Sequence, residues 1–353
     1  MRAPDMIEMR IDVAELLTAM VAVPSVSGDE DEVATLLAVR LRDAGFDVDV
    51  DAAGNVVAAW GDGAETIALV GHLDTVAGEI PVRRDGDMLH GRGSVDAKGP
   101  LAAAIAAVSR QPRHGPRRFV VVGAVDEEAG SRGARHLAAS MAAPAGLVIL
   151  EPSGWDAVTI GYKGSVRLRV TIEQPQAHSA GRASGAPDRC FDVVAALRDY
   201  AHAVNGTAPI FDCLDVRVLR FGSETDGLVG RATADVGVRT PPGCDVGTLV
   251  EVARVAAGDG AVTILGQEAA VRTDRSSSLA RACVRAIRAA GGAPRFKLKT
   301  GTSDLNILVP AWGCPAVAYG PGDSRLDHTP DEHISITDLE RAVDVLDMAL
   351  SDR

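Results

Sequence analysis

Apolar and polar positions follow two different rhythms along the chain. In the first half, short continuous apolar runs alternate with helical patterns. Residues 66–70, 119–125 and 147–150 are nearly unbroken aliphatic runs and predict buried strands. Residues 11–20 read as a short amphipathic helix, and Pro24-Ser25-Val26-Ser27-Gly28 as a turn. Ser27 with Glu30 three residues on has the pattern of a capping box, and Gly45 is placed to end the helix that follows. Residues 46–51 and 55–60 flank a turn at Ala53-Gly54, and a helix of small residues runs from Gly99 to about Ser109. Strand, helix and strand repeat through Glu151. That alternation predicts an α/β domain whose mostly parallel, mixed sheet carries helices on both faces.

The rhythm changes after Gly161-Tyr162-Lys163-Gly164, which reads as a hinge. Residues 166–172 alternate strictly, as a half-exposed strand does. A helix is expected over 188–203, strands near 215–221 and 232–238, a helix over 246–257 and a strand near 261–265. Strand–helix–strand–strand–helix–strand is the ferredoxin-like order. The predicted division is therefore 1–162 with 273–353 as one domain, and 163–272 as an inserted α+β domain.

Polar residues with metal-binding chemistry follow the apolar runs. His72 and Asp74 come just after residues 66–70, two positions apart, so a strand-like backbone turns both to one face. A histidine that binds metal through one ring nitrogen usually gives its other N–H to a carboxylate, and Asp74 is placed to be that carboxylate. Asp96 lies in the glycine-rich stretch Gly91-Arg92-Gly93-Ser94-Val95-Asp96-Ala97-Lys98-Gly99. Asp126-Glu127-Glu128 and Glu151 follow the next two runs, and His328 lies in Leu326-Asp327-His328-Thr329-Pro330. Active groups of open α/β sheets gather at the carboxyl ends of strands. A mixed nitrogen and oxygen set without cysteine suits zinc or a similar divalent ion in a catalytic site.

Composition narrows the classes of function. The chain has 353 residues, 46% hydrophobic and 24% charged, with only 3% aromatic, so the core is built from small aliphatic side chains. A formal net charge of −12 argues against nucleic acid as a partner. The insert carries 12 Lys/Arg and 13 Asp/Glu, so the acidity belongs to the remainder. Five dispersed cysteines without a Cys-x-x-Cys pair fit reduced thiols. No secretory signal and no apolar stretch of membrane-spanning length is visible, and the expected location is the cytoplasm.

With these motifs in this order, the whole chain resembles the di-zinc aminoacylase/ArgE/DapE metallopeptidase family. Within it, the resemblance is to the amino-group carrier protein–lysine/ornithine hydrolases of the LysK type. The resemblance implies a zinc-peptidase-like catalytic domain, with an inserted lid that also makes a homodimer. It implies two Zn2+ (or Co2+) per chain. Asp96 would bridge them, with His72 and Glu151 on one metal and Glu128 and His328 on the other. Glu127 would be the general base, although Asp126 and Glu127 could exchange roles with their neighbours. The Asp96–Ala97 bond would be cis.

In the same family lids a histidine, here His178 in Gln176-Ala177-His178-Ser179-Ala180, hydrogen-bonds the oxyanion, often across the dimer. Gly301-Thr302-Ser303 resembles a substrate-contacting turn, with a plain helix cap as its ordinary alternative. Arg239 could clamp a substrate carboxylate or form a structural ion pair. His333 competes with His328 for the ligand role, and His328 fits the family motif.

The substrate implied is an amino acid blocked on its α-amino group by the C-terminal glutamate γ-carboxyl of a small acidic carrier protein. That bond is an isopeptide-type C–N amide. Arg295, Lys297 and Lys299 alternate along one strand and could dock such a carrier, or be a solvated edge. Leu305-Asn306-Ile307 replaces the small and aromatic residues expected of a desuccinylase. The rival readings are an acetylornithine deacetylase or succinyl-diaminopimelate desuccinylase, a dipeptidase, and a non-catalytic binding protein on the same fold.

Overall fold

The computed structural model describes residues 11–176, 178 and 183–351. The N-terminal stretch read for a targeting signal, and Ala177, Ser179 and Ala180 beside His178, lie outside the described residues. Two compact units emerge: Met1–Gly161, Thr273–Lys297 and Ile307–Arg353 form the first, Tyr162–Arg272 and Leu298–Asn306 the second.

The first unit is built on a mixed sheet. Its strands run in the order Asp47–Val50, Val56–Trp60, Arg117–Ala124, Glu65–His72, Gly146–Ile149, Ala316–Ala318 and Ala157–Tyr162. The middle four are mutually parallel. They read as continuous aliphatic runs because both of their faces are covered. Gly71 and Gly123 face each other in register at the ends of two of these strands. A Cβ on Gly71 would come within 2.9 Å of Leu150, and one on Gly123 within 2.9 Å of Leu73, so close approach explains both glycines. The helices Val13–Val21, Lys98–Val108, Ser278–Ala289 and Ile336–Leu350 join the core, and every residue of the second is buried. Gly45, at φ +88°, closes the helix Asp31–Asp43, with its N–H on Arg42 O and that of Phe46 on Leu41 O.

The capping box predicted at Ser27 does not form. Ser27 instead donates to the buried carboxylate of Asp74 at 2.7 Å. Glu30 Oε1 accepts from Gly28 N at 2.8 Å and from Asp126 N at 3.0 Å. A second, three-stranded sheet pairs Arg83–Asp85, Met88–His90 and His333–Ser335. No helix among the described residues is long and apolar enough to cross a membrane.

The second unit is a four-stranded antiparallel sheet in the order Asp215–Thr225, Val229–Thr240, Gly164–Pro175, Ala261–Glu268. Helices Ala186–Asn205 and Val246–Ala257 complete the ferredoxin-like order. Val166, Leu168, Val170 and Ile172 alternate inward and share a core with Val193, Leu197, Leu249 and Ala253. The expected hinge is extended chain rather than a loop: Tyr162 ends one strand, Gly164 starts the next, and Tyr162 and Lys163 are buried. The predicted division puts residues 298–306 with the catalytic part, whereas the structure groups them with the insert. The reason is a set of bonds within this unit. Lys163 N donates to Lys299 O at 3.1 Å, and Asn306 Nδ2 to Lys163 O and Ala269 O at 3.0 and 2.7 Å.

Candidate metal centre

Because the central strands are parallel, their carboxyl ends share one edge of the sheet. His72 is the last residue of its strand, Asp126-Glu127-Glu128 follow Arg117–Ala124 by one residue, and Glu151 follows Gly146–Ile149 by one. The turn holding Asp96 and the loop holding His328 complete the ring. The Asp96–Ala97 peptide is cis.

Asp96 stands between two groups. Its Oδ1 lies 3.3 Å from His72 Nε2, which is itself 3.9 Å from Glu151 Oε1. Its Oδ2 lies 3.1 Å from His328 Nε2, which is 2.8 Å from Glu128 Oε1. The donor atoms of His72, Asp96 and Glu151 all lie within 4.8 Å of one another, as do those of Asp96, Glu128 and His328. His72, Glu127 and Glu128 meet the same test, so geometry alone leaves Glu127 close enough to ligate.

The field here is strongly negative. Burial pulls the His72 imidazole towards the neutral form, yet Asp74, Asp96 and Glu127 outweigh it and hold His72 well above its ordinary value. Asp96 and Glu128, against burial, raise His328 to about 10. Carboxylates crowded round two imidazoles, with oxygens of one aspartate facing both, are a donor set that divalent cations would satisfy.

Asp74 does more than its spacing predicts. His72 Nδ1 lies 2.8 Å from the Asp74 backbone carbonyl, while the Asp74 carboxylate is 3.5 Å away, so the carbonyl is the closer tautomer-fixing partner. The carboxylate accepts from Ser27 and from Glu127 N at 3.1 Å and Glu128 N at 3.0 Å. Burial would raise its pKa; His72, Ser27 and the Glu128 N–H outweigh that and lower it. One fully buried carboxylate thus pins the peptide from which Glu127 and Glu128 project. Asp126, just before it, has φ +66°, and His328 has φ +61°, backbone values that are uncommon for non-glycine residues and recur at functional sites.

Two residues missed by sequence reading support Asp96. Glu332 is buried, and its Oε1 accepts from Val95 N at 2.9 Å and Asp96 N at 3.1 Å. Its Oε2 pairs with Arg92 at 2.8 Å, and Arg92 also donates to Thr329 O, the residue after His328. A signal was available in Asp331-Glu332, a carboxylate pair directly after the His328 motif, but its partners lie some 240 residues away. Lys98, also buried, donates to Met20 O and Val23 O, and burial lowers its pKa to about 8 against the pull of Glu332 and Asp74. His333 is not in the cluster: its ring lies 4.9 Å from His90, its partner in the small sheet.

The remaining predicted residues fall elsewhere. His178 is exposed in the second unit and lines a cavity of about 490 Å³ with Gln174, Asp188 and Arg231. Arg239 donates to the Thr302 hydroxyl at 3.2 Å, within the same unit. Ser303 Oγ accepts from Leu305 N at 3.3 Å at the start of the helix Leu305–Trp312, which is capping geometry. A Cβ on Gly301 would meet nothing within 4 Å, so packing does not demand glycine there. The basic row is not a free strip: Arg295 pairs with Asp156 at 2.8 Å, Lys297 donates to Ser153 O at 2.6 Å, and Lys299 lies 5.8 Å from the Tyr162 ring centroid.

The chain is similar to known proteins over nearly its whole length. A Deinococcus radiodurans protein named LysW-lysine hydrolase is 45% identical over 347 residues, 96% of each chain. A Sulfurisphaera tokodaii protein named LysW-lysine/LysW-ornithine hydrolase is 26% identical, over 94% of this chain and 92% of that one. In fold, the chain matches an M20 family metallo-carboxypeptidase, Sso-CP2 from Sulfolobus solfataricus, with a TM-score of 0.78 at 18% identity, over 96% of this chain and 98% of the other. The profile of peptidase family M20/M25/M40 matches residues 68–352. Strand-end placement, donor set and profile converge, and the chain belongs to peptidase family M20/M25/M40.

Proposed function

We propose that this chain is a metal-dependent amide hydrolase that releases lysine, ornithine or a related amino acid from the C-terminal glutamate of a LysW-type carrier protein. The observation that carries the substrate is the 45% identity, over nearly the whole of both chains, to a protein named LysW-lysine hydrolase. The donor set supports the metal dependence. His72, Asp96 and Glu151 would hold one divalent ion, and Asp96, Glu128 and His328 a second; zinc, or cobalt, suits both. Such ions would supply Lewis acidity to the amide carbonyl and to the attacking water.

The chain's own residues do the rest. Glu127 takes the proton of the attacking water and passes it to the departing amine, the work of one carboxylate acting as base and then acid. Asp74 holds the Glu127–Glu128 peptide in place and, with its backbone carbonyl, the His72 ring. His178 donates a hydrogen bond to the developing oxyanion. Arg239, with Thr302 beside it, receives the carboxylate of the released amino acid, for which a guanidinium fork is suited. Gly301 and Ser303 belong to that same substrate-binding turn. The protein works in the cytoplasm as a homodimer joined through the second unit.

Incubating the lysine-loaded carrier with the enzyme tests the reading. The carrier mass should fall by one lysine residue as free lysine appears. Chelation should stop release and two zinc equivalents per chain should restore it. At most one tight site under saturating zinc would remove the two-ion assignment, and no lysine release would remove the function. His178→Ala should lower kcat by about 10²-fold, the usual effect of losing one oxyanion donor, with metal content unchanged. If His178 acts across the dimer, mixing His178→Ala with Glu127→Gln subunits should restore some activity. No recovery after verified subunit exchange would place the histidine's action within its own subunit.

A further inference from the structure

The open face of the second unit's sheet carries a cluster of arginines that the proposed chemistry does not use. Val166, Leu168, Val236 and Val238 point to the helices, so the residues between them point the other way. The register then sets side chains next to one another across strands. Arg217 is opposite Gly237, which is opposite Arg167, which is opposite Gly266. One step along, Arg220 is opposite Asp235, and Asp235 is opposite Arg169. The next row in the other direction holds Asp215, Arg239, Ser165 and Glu268. This half of the face thus has Arg167, Arg169, Arg217, Arg220 and Arg239 against Asp215, Asp235 and Glu268, in an insert that is close to neutral as a whole.

Part of that charge is left over. Arg169 forks onto Asp235 at 2.7 and 2.8 Å, and Arg217 meets Asp215 at 3.1 Å. Arg167 and Arg220 make no ion pair within 4 Å with any described carboxylate; Arg220 only adds to the field that lowers Asp235. Arg167, Arg169, Arg217 and Arg220 are exposed, and Leu219, 59% exposed, lies over Gly237 in their midst. The pattern is an exposed leucine flanked by guanidinium groups across three strands, or about 10 Å at the usual strand spacing. That is broader than a small anion needs and resembles the arginine-rich centre of a protein interface. Nucleic acid fits poorly with a chain of net charge −12.

We propose that this face, centred on Arg167, Leu219 and Arg220, docks an acidic face of the protein that carries the substrate amino acid. The proposal rests on the carrier-borne substrate argued above. Arg239 lies on the same face, one row away, so a carrier body seated there would have its loaded end beside the residue assigned to the substrate carboxylate. It also replaces the row 295–299 as the docking element, because Arg295 and Lys297 are engaged within their own unit.

The test compares wild type with Arg167→Glu/Arg220→Glu and with the milder Arg167→Gln/Arg220→Gln. Two substrates are used: the lysine-loaded carrier, and the glutamyl-lysine fragment alone. The charge reversal should lower kcat/KM for the loaded carrier by about tenfold or more, chiefly through KM, and flatten its salt dependence. The Gln variant should fall between, and fragment turnover should stay within about twofold, which also reports an intact fold. Carrier turnover unchanged in both variants would overturn the proposal, as would equal losses on both substrates. A changed oligomeric state would also overturn it, by making the face a contact between copies of this chain. Failure of wild type itself to release lysine from the carrier is a different result, and removes the functional reading instead.

Discussion

Glu127→Gln is expected to lower kcat by about 10²–10⁴-fold, the range of a positioned acid–base group, and to leave metal content unchanged. The expectation follows from how residues 126–128 are held. Asp74 accepts from the backbone N–H groups of both Glu127 and Glu128, so the two side chains leave a peptide that neither of them positions. Removing the Glu127 charge should therefore leave Glu128 beside His328, where its oxygen is 2.8 Å from Nε2. Because Glu127 also lies within ligand distance of His72 and Glu128, the experiment discriminates two roles. Metal analysis of the purified variant decides between them. Loss of an ion together with activity would make Glu127 a ligand, and the proton transfer would then need another carboxylate.

Glu332→Ala should destabilise the protein by about 3–5 kcal/mol, the usual cost of removing one partner from a buried ion pair. The carboxylate is 1% exposed and receives Val95 N, Asp96 N and Arg92 together. Its loss strands two amide donors and a guanidinium whose side chain is only 14% exposed. Glu332→Gln keeps an acceptor for the amides and removes the charge, so its effect should be smaller. Because Asp96 N is one of those donors, metal affinity should fall by about 10–100-fold, as when outer-shell partners of ligands are removed. Denaturant midpoints and metal titrations measure the two effects. An alanine variant with unchanged midpoint and affinity would show that the Asp96 turn holds its shape without Glu332.

The cluster was legible in sequence because its chemistry is written at the ends of apolar runs. Once residues 66–70, 119–125 and 147–150 are taken as parallel strands, His72, Glu127, Glu128 and Glu151 must share an edge. His328 was separable from His333 only by motif, and the structure gives the physical difference, since His333 faces His90. What sequence could not show are partnerships between distant segments. Ser27 and Glu30 have local capping spacing, but the buried carboxylate of Asp74, 47 residues on, takes the hydroxyl. Alternation put Arg295, Lys297 and Lys299 on one face, yet Asp156 and Ser153, about 140 residues earlier, engage two of them. Strands of three residues, such as Arg83–Asp85 and His333–Ser335, are too short to leave a periodic pattern. The second unit was clearer, since strict alternation in one strand and two amphipathic helices define it, but the return of residues 298–306 to it rests on Asn306 and Lys163, which no local pattern couples.

The proposed substrate is a protein-borne amino acid, and the ratio of kcat/KM values on matched substrates decides whether it is. Lysine-loaded carrier, N-acetyl-lysine, N-acetyl-ornithine and N-succinyl-diaminopimelate are to be compared with one zinc-saturated preparation at one ionic strength. The expected result is a kcat/KM for the loaded carrier far above that of every small substrate, with an advantage that shrinks as salt rises, since charges more than about 8 Å apart are already screened at 0.15 M. Equal or faster hydrolysis of an acetyl or succinyl substrate would make the protein a small-molecule deacylase instead.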